Sequence, residues 1–427
     1  MSKKRYALVG CGIRAKFFYT AMVTEFKSNI ELVAICDINQ TRMDFTNRVL
    51  VNECDHPAVP TYKPSQFEEM VRAEKPDVIF VTSIDRTHHT YIIKAMELGC
   101  DVVSEKPMTV DADKCQAILD TVKRTGKQLR VAFNYRYAPQ FSKVRELILD
   151  DVIGEVKSVN FEWLLDIKHG ADYFRRWHRD KRNSGGLLVH KSTHHFDLVN
   201  FWLGTKPKTV AAMGDLSFYG RENAERRGVE QFYQRSFGSE NALNDPFAID
   251  LAGNDTLKAM YLDAEKEDGY QRDQSVFGDG ISIEDTLGVI VRYENNAILT
   301  YSLNAYTPWE GLVVSLNGTK GRMEIKLIVK HLNNPDGTHA QELSRERSIT
   351  VHPMFGNAFK VDYEEGVGGH GGGDPALLHD IFVEPVKDRL NRAATHIDGA
   401  MSILTGIAGN ISMQTGQFVS VDTLVRF

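Results

Sequence analysis

The chain has 427 residues, 42% of them hydrophobic and 25% charged, with a formal net charge of −6. This length exceeds one ordinary core and the composition is that of a soluble globular protein, so we expect two domains. The charges form no basic stripe and no apolar run is long enough to span a bilayer, which argues against nucleic acid and membranes as partners. No signal peptide precedes the first strand and the five cysteines form no C-x-x-C pair, so we expect reduced thiols in a cytoplasmic protein.

The first third of the chain alternates short, β-branched strands with helical segments. It opens with strand, glycine turn and helix in RYALVGCGIRAKFFYTAMVTEF, and further strands are indicated by IELVAICD, DVIFVTS, DVVSEKP and QLRVAFN. Such alternation is typical of a parallel sheet covered by helices on both faces. We therefore predict the α/β fold class, with an N-terminal Rossmann domain, a doubly wound parallel sheet, over residues 1–135.

Residues 136–427 are predicted to form an α+β domain with an open, largely antiparallel sheet. Strands are indicated by GEVKSVNFEWLLDI, by residues 206–216, by DTLGVIVRYENNAILTYSLNAY and by LVVSLNGTKGRMEIK, with hairpin turns at ENN and NGTKG. Residues 218–283 are polar and weakly periodic, so we interpret them as an insertion that is partly loop. We expect the open sheet to carry the interface of a homodimer or homotetramer, because an uncovered apolar face is a liability in a monomer.

The C-terminal part returns to helices. DPALLHDIFVEPVKDRLNRA predicts a helix that Pro385 kinks or breaks, and residues 398–416 predict another, with Asp398 as N-cap and Gly416 as C-cap. The small residues of the second helix allow close packing, which we expect against the first domain. The glycine-rich stretch VGGHGGGD at 367–374 lacks the lysine of a P-loop, and two interpretations stay open, a connector or a lid near the active site.

The turn after the first strand carries a dinucleotide-binding pattern. Residues 10–15, GCGIRA, fit G-x-G-x-x-A, in which Gly10 makes the tight turn and Gly12 lets the backbone approach a pyrophosphate at a helix N-terminus. Asp37 ends the next strand, where a carboxylate accepts hydrogen bonds from two ribose hydroxyls and repels a 2′-phosphate. No arginine follows it at once, and Arg42 is the nearest. We therefore predict NAD as the cofactor, preferred over NADP.

Several motifs occur in the order found in one enzyme family. They are the glycine motif, SIDRTHH from Ser83, EKP at 105–107, FNYRYAP from Phe133 and GGLLVHKSTHHFD from Gly185. On these motifs the chain, apart from the insertion, resembles the Gfo/Idh/MocA family of NAD(P)-dependent oxidoreductases, most of which act on sugars or polyols. The resemblance implies a Rossmann domain followed by a domain built on an open sheet, and it supports the expectation of an oligomer.

The resemblance also implies which residues form the site. Lys106 matches the family's EKP lysine, which hydrogen-bonds the reacting hydroxyl, and His194 matches the family's acid/base histidine. An imidazole of near-neutral pKa suits proton removal as hydride leaves. The residues expected to bind the cofactor are Gly10, Gly12, Ile13, Arg14, Asp37, Ser83, Asp85, His88, Glu105, Lys106 and Asn134. Those expected to bind the substrate are Arg136, Trp177, Lys191 and Asp197.

Position 190 departs from the family pattern. The family's usual aspartate is His190 here, which we count with the catalytic residues, and its usual glycine is Ser192. Histidine in place of a carboxylate is expected to remove a negative charge beside Lys106. His190 and His194 have the i, i+4 spacing of a metal-binding pair, but hydride transfer to nicotinamide requires no metal, so none is expected. His195 is expected to pack rather than react.

These residues leave two enzymatic functions open. One is a dehydrogenase that oxidises a secondary hydroxyl of a sugar, glycoside or polyol and releases NADH. The alternative is a glycoside-cleaving enzyme that keeps NAD bound and recycles it through oxidation, elimination, addition and reduction, as a branch resembling this family does. A non-catalytic NAD-binding regulator is disfavoured by the intact Lys106 and His194.

Overall fold

Two β-sheets organise the chain. The computed structural model describes residues 3–333, 339–366, 369–383 and 387–427. Within these residues, six strands form the first sheet and nine strands form the second. The first sheet draws its strands from residues 4–131 and the second from residues 156–420.

The first sheet is parallel throughout. Its strands are β1 Lys4–Val9, β2 Ile30–Cys36, β3 Thr61–Tyr62, β4 Val78–Val81, β5 Asp101–Ser104 and β6 Leu129–Val131. The helices between them are α1 Ile13–Val23, α2 Gln40–Cys54, α3 Phe67–Glu74, α4 His88–Glu97 and α5 Ala112–Thr125. The strand order β3-β2-β1-β4-β5-β6 reverses direction between β1 and β4, which marks the crevice where ligands bind in such sheets. The predicted Rossmann fold is therefore confirmed.

The second sheet is mixed. Its strands are β7 Val156–Asp166, β8 Pro207–Asp215, β9 Thr286–Tyr293, β10 Ile298–Thr307, β11 Trp309–Gly318, β12 Gly321–Asn333, β13 His339–Pro353, β14 Phe359–Lys360 and β15 Val419–Ser420. Their order is β14-β13-β12-β11-β7-β10-β9-β8-β15, and each neighbouring pair is antiparallel except β7 and β10. The open, largely antiparallel sheet is confirmed, although β13, whose sequence is rich in charged residues, was not predicted.

The open face of the second sheet carries both polar and apolar side chains. A shallow depression of about 310 Å³ on this face is bordered by side chains that include Asn160, Glu162, Thr300, Arg322 and Lys326. Exposed apolar residues on its strands are Met213, Ile290 and Ile298. The subunit interface that we expected on this face stays a prediction.

Helices cover the other face of the second sheet and extend from it. They are α6 Pro139–Leu149, α7 Ile167–Arg175, α8 Lys181–Ser184, α9 Leu187–His190, α10 Thr193–Leu203, α11 Arg221–Arg226, α12 Asp255–Leu257, α13 Glu265–Asp268, α14 Gly369–Phe382 and α15 His396–Thr415. Helix α14 ends before Pro385, which lies outside the described residues. Among the residues described, no helix is both long and apolar enough to cross a membrane.

Helix α15 connects the two domains at its first turn. It packs along α9, α10 and β8, while a Cβ on Gly399 would lie 2.7 Å from Val131 of the first domain. Its N-cap is Thr395, and Asp398 is the third helical residue, whose carboxylate accepts the Thr395 backbone N–H at 2.8 Å. The prediction of Asp398 as N-cap is therefore wrong, because the N-cap lies three residues earlier and Asp398 takes the third helical position of a capping box. Gly416 is the C-cap, as predicted, with φ of 69°.

The insertion contributes to neither sheet. Residues 218–283, all of them described, form short helices and loops and add no strand to the two sheets, as the polar sequence indicated. Its segment 255–270 crosses to the first domain, where the Tyr261 hydroxyl accepts a hydrogen bond from the Ile13 backbone N–H at 3.3 Å. The insertion therefore extends to the end of the glycine turn.

Candidate active site

A cavity of about 940 Å³ lies between the carboxyl ends of the first sheet and the helices of the second domain. All of the residues predicted to bind the cofactor line it, as do the three predicted catalytic residues Lys106, His190 and His194. Its size is in the range of small-molecule sites. The structure thus brings together two groups of residues that are far apart in the sequence.

The glycine turn leaves room for a ligand. Gly10 has φ of +94°, and a Cβ there would lie 2.5 Å from the Ser83 backbone nitrogen, so this glycine is required by the fold. At Gly12, a Cβ would meet nothing within 4 Å, although this residue lines the cavity and precedes α1. An open cradle at a helix N-terminus fits a dinucleotide pyrophosphate.

Asp37 follows β2 and is half-buried. Its carboxylate accepts the backbone N–H groups of Cys11 at 2.6 Å and Asn39 at 2.8 Å. Burial raises the pKa of Asp37, and these two hydrogen bonds oppose that rise. Because backbone donors fix the carboxylate in place, Asp37 presents a rigid acceptor to the cavity.

Two residues hold the EKP loop that follows β5. His88 bridges the loop to the end of β4, with Nδ1 2.8 Å from the Pro107 carbonyl oxygen and Nε2 2.9 Å from that of Ser83. Glu105 accepts hydrogen bonds from Arg14 at 2.7 Å and from the Lys106 backbone N–H at 2.9 Å. The peptide between Lys106 and Pro107 is cis. The loop therefore presents Lys106 to the cavity from a firmly anchored backbone.

The Lys106 ammonium group lies among charges of both signs. Its Nζ donates to the His190 carbonyl oxygen at 3.3 Å. Burial lowers the pKa of Lys106, the carboxylates of Glu105 and Asp85 raise it, and the arginines nearby lower it further. With the pKa lowered overall, the neutral amine forms at lower pH than it does for an exposed lysine.

His190 is paired with a carboxylate from the other domain. Its Nδ1 lies 2.5 Å from Asp85 Oδ2, and both side chains are buried. Burial and the Lys106 charge lower the pKa of His190 well below its usual value, so the ring is neutral. When the proton between the two groups lies on Nδ1, the ring donates to Asp85 and the Nε2 lone pair stays free. Asp85 also faces Lys106, but burial raises the pKa of Asp85 well above its usual value, so the loss of a negative charge at position 190 stays a prediction.

His194 and His195 have different surroundings. The His194 ring stacks on Tyr135 with centroids 4.5 Å apart, and its Nδ1 has no hydrogen-bond partner among the described residues. Burial and the charges of Lys106 and Lys191 lower the pKa of His194 well below its usual value. His195 instead faces the core, where its Nδ1 lies 2.8 Å from the Tyr301 hydroxyl, as the packing interpretation predicted.

An aromatic and cationic group adjoins His190 on its outer side. His178 stacks on Trp177 with centroids 3.6 Å apart and lies 4.2 Å from the His190 ring. Arg176 also lines the cavity and pairs with Asp172 at 3.1 Å. Of the four residues predicted to bind substrate, Trp177 is the one that borders the cavity.

The other three predicted substrate residues lie outside the cavity lining. Both carboxylate oxygens of Asp197 accept hydrogen bonds from Arg136, at 2.8 and 2.6 Å, and both side chains are buried. Lys191 is buried with its Nζ 4.7 Å from the Trp163 ring centroid, and burial lowers its pKa to about 8. The motif places all three close to the catalytic residues in sequence, but their side chains point into the protein.

The glycine-rich loop borders the site. Its described part, residues 369–374, contains Gly371 and Gly372 at positive φ, and a Cβ on Gly373 would lie 2.2 Å from the Asn134 carbonyl oxygen. The last residue, Asp374, accepts hydrogen bonds from Asn134 at 2.7 Å and Arg14 at 3.3 Å. His370 of this part lines the cavity, and both interpretations, a connector or a lid, stay open. Residues 367 and 368 lie outside the described residues.

Sequence reasoning missed the contribution of the insertion. Tyr261, Asp268 and Tyr270 line the cavity, close to Asp37 and Arg42. No motif or periodicity distinguishes them, because they lie in a polar stretch of short helices and loops. Within the parts of the chain that are described, no group of three His, Cys, Asp or Glu side chains is arranged to hold a metal ion.

Comparison with known proteins covers both domains. Residues 4–133 match "Oxidoreductase family, NAD-binding Rossmann fold" and residues 145–421 match "Oxidoreductase family, C-terminal alpha/beta domain", both from the Gfo/Idh/MocA family. The chain is 35% identical to YteT of Bacillus subtilis (strain 168) over 413 residues, which are 93% of this chain and 94% of YteT. It is 27% identical to D-glucoside 3-dehydrogenase of Escherichia coli (strain K12) over 210 residues, 48% of this chain and 55% of that enzyme.

Solved structures share the fold at low identity. An oxidoreductase from Agrobacterium radiobacter, solved in complex with NAD+, L-tartaric acid and magnesium, has a TM-score of 0.64 and 14% identity, covering 99% of this chain and 100% of that one. At this identity the likeness concerns the fold alone. The two matching domains and the full-length relative lead to one conclusion: the chain belongs to the Gfo/Idh/MocA family of oxidoreductases.

Proposed function

We propose that the protein is an NAD-dependent oxidoreductase that oxidises a secondary hydroxyl of a sugar, glycoside or polyol. The observation that carries the proposal is the shared cavity, in which the glycine turn and Asp37 line the same space as Lys106, His190 and His194. A relative named D-glucoside 3-dehydrogenase supports a carbohydrate substrate.

The first domain offers the groups that would hold NAD. The open cradle at Gly12 would receive the pyrophosphate, and the fixed carboxylate of Asp37 would accept the ribose hydroxyls. A carboxylate at this point favours NAD over NADP because it repels a 2′-phosphate. When bound, the nicotinamide ring supplies the acceptor for the hydride that leaves the carbinol carbon.

The catalytic residues handle the proton that must leave with the hydride. Conversion of a CH–OH group to a carbonyl releases one hydride and one proton, and a neutral base near the hydroxyl oxygen takes the proton. In this proposal Lys106 hydrogen-bonds that oxygen, and its lowered pKa makes the amine form accessible. His194 is neutral, with an unpartnered ring nitrogen among the described residues, and serves as the acid/base.

His190 supports the same step. Because Asp85 fixes the Nδ1 side of the ring, the free Nε2 can accept a hydrogen bond from a substrate hydroxyl. The face of Trp177 at the cavity suits stacking against a sugar ring. These groups orient the substrate, while Lys106 and His194 move the proton.

A substrate screen with two readouts tests the proposal. Purified enzyme is mixed with NAD and a panel of glycosides and polyols, while NADH absorbance and sugar products are followed together. Stoichiometric NADH and a ketone product support the dehydrogenase. Glycoside cleavage without net NADH would instead establish the redox-recycling alternative. Failure of the protein to bind NAD or NADP by calorimetry would overturn both.

A further inference from the structure

The insertion is attached to the first domain beside the predicted ribose site. The Asn39 side-chain amide donates to the Ala264 carbonyl oxygen at 2.9 Å, and the Arg42 Nε donates to the Met260 carbonyl oxygen at 3.1 Å. Segment 255–270 therefore lies along the loop after β2, whose acid is Asp37. No motif of the first domain accounts for this contact.

The insertion supplies carboxylates to both features of this loop that would otherwise bind an anion. The first feature is the N-terminus of α2, where Glu267 accepts the backbone N–H groups of Gln40 at 2.5 Å and Thr41 at 2.8 Å. The free N–H groups of a helix N-terminus attract phosphate, and a carboxylate that accepts them occupies that position. The partial positive charge at the N-terminus of α2 is therefore already compensated by a carboxylate of the other domain.

The second feature is the guanidinium group of Arg42. Asp268 pairs with its Nη1 at 2.6 Å, and the two side chains are only 10% and 9% exposed. The rings of Tyr261 and Tyr270 lie 5.7 and 5.8 Å from its carbon centre. With Nε bonded to Met260, Nη1 bonded to Asp268 and Nη2 buried, Arg42 presents no accessible pair of adjacent N–H groups for bidentate phosphate binding.

We propose that Glu267 and Asp268 are specificity-determining residues, which exclude the 2′-phosphate of NADP by occupying the α2 N-terminus and Arg42. Asp37 excludes the phosphate from one side of the ribose site, and the insertion removes the groups that would attract it on the other. The carboxylates of Asp268 and Asp37 are close enough to interact, since Asp268 adds to the rise that burial causes in the pKa of Asp37. This inference rests on the proposed use of a nicotinamide dinucleotide.

Calorimetric titration of the full-length protein tests the inference without turnover. NAD and NADP are titrated into wild type, Asp268→Asn, and Glu267→Gln with Asp268→Asn. Each substitution keeps the size of the side chain and removes its charge. We expect the ratio of the NADP Kd to the NAD Kd to fall about tenfold or more in the double variant, mainly through tighter NADP binding, because one charged hydrogen bond to phosphate is worth about that much.

The insertion offers a matched control. Asp263 pairs with Lys258 on the surface and is 48% exposed, so Asp263→Asn changes the net charge equally without touching Arg42. We expect this variant to keep the wild-type ratio. Adding Arg42→Met to Asp268→Asn should abolish the gain, because the released guanidinium is the group that would bind the phosphate.

The outcomes separate failure of this inference from failure of the proposed function. A ratio within twofold of wild type in both Asp268 variants, with NAD binding intact, would overturn the inference and leave the function standing. An equal loss of NAD and NADP binding would show a structural role and would also overturn it. A wild-type protein that binds neither nucleotide would overturn the proposed function and this inference with it.

Discussion

The two ends of the cavity achieve their charge balance in different ways. At the catalytic end, the family's aspartate is replaced by His190, and a carboxylate of the first domain, Asp85, lies 2.5 Å from its ring. At the ribose end, Asp37 keeps the acid that the dinucleotide-binding pattern calls for, and the insertion adds Glu267 and Asp268 nearby. At the catalytic end, a motif residue is changed, and its new side chain pairs with a residue of the other domain. At the ribose end, the motif residue is kept, and a segment outside every motif adds further carboxylates.

The strongest way to separate the two ends is to remove Lys106. We expect Lys106→Ala to lower kcat by about 10²–10⁴, because a general acid–base group is lost, while NAD affinity stays near that of wild type. Steady-state kinetics and NAD calorimetry measure the two effects. Lys94→Ala, on an exposed position of α4, is the control and should behave as wild type. A parallel loss of NAD affinity would show that Lys106 serves the cofactor instead.

A second variant acts on the cofactor cradle between the two ends. Gly12→Ala places a Cβ in space that the protein leaves empty, so we expect unchanged thermal stability and NAD binding weaker by about 1–3 kcal/mol, about fivefold to 150-fold. Gly10→Ala is the contrast, because its Cβ would collide with the backbone at Ser83 and lower the Tm. Normal NAD affinity in Gly12→Ala would contradict the placement of the pyrophosphate.

A smaller effect concerns a residue near the catalytic end that the structure turns away from the cavity. Lys191→Met should leave the substrate KM unchanged and raise stability at neutral pH by about 0.5–2 kcal/mol, because the lowered pKa of Lys191 means that burial of the ammonium costs more than its contact with Trp163 contributes. Substrate kinetics and denaturant unfolding measure the two quantities. A large rise in KM with wild-type stability would restore Lys191 to the substrate site.

The smallest expected change is a displacement of the pH profile. His190→Asp places a second carboxylate near Lys106, which favours the ammonium form and raises the pKa of Lys106. The neutral base then appears at higher pH, so the acidic limb of kcat/KM should move upward by about one pH unit. His190→Asn, which removes the imidazole without adding charge, is the control. Superimposable profiles for the two variants would exclude an electrostatic role for position 190.

The sequence was sufficient for the fold class and for those cavity-lining residues that lie in the motifs. Hydrophobic periodicity and turn residues report on neighbours along the chain, which is why the Rossmann strands and the hairpin at Asn296 were predictable. A motif also fixes positions on a backbone, so Lys106, His190 and His194 were found. Neither signal reports the direction in which a side chain of a buried helix points, and Asp197 and Lys191 were therefore misplaced.

Contacts between distant segments account for the rest. The pairing of His190 with Asp85 spans the two domains, and the reach of Tyr261 and Asp268 into the cavity depends on how a loop-rich segment folds back. Such contacts follow from tertiary packing and leave no periodic trace in one sequence. The charge around Lys106 could not be predicted from the sequence for the same reason, because the number of carboxylates near it depends on which elements meet there.

The attachment of segment 255–270 to the first domain also bears on how this enzyme can change over evolutionary time. The groups proposed to choose between the two dinucleotides and those proposed to move the proton come from stretches of sequence that share no residue. Substitutions in the insertion can therefore change which coenzyme the protein prefers without changing the residues that act on the substrate. Substitutions at position 190 can likewise accumulate without a change of coenzyme. The two traits are genetically separable, and selection can act on each alone.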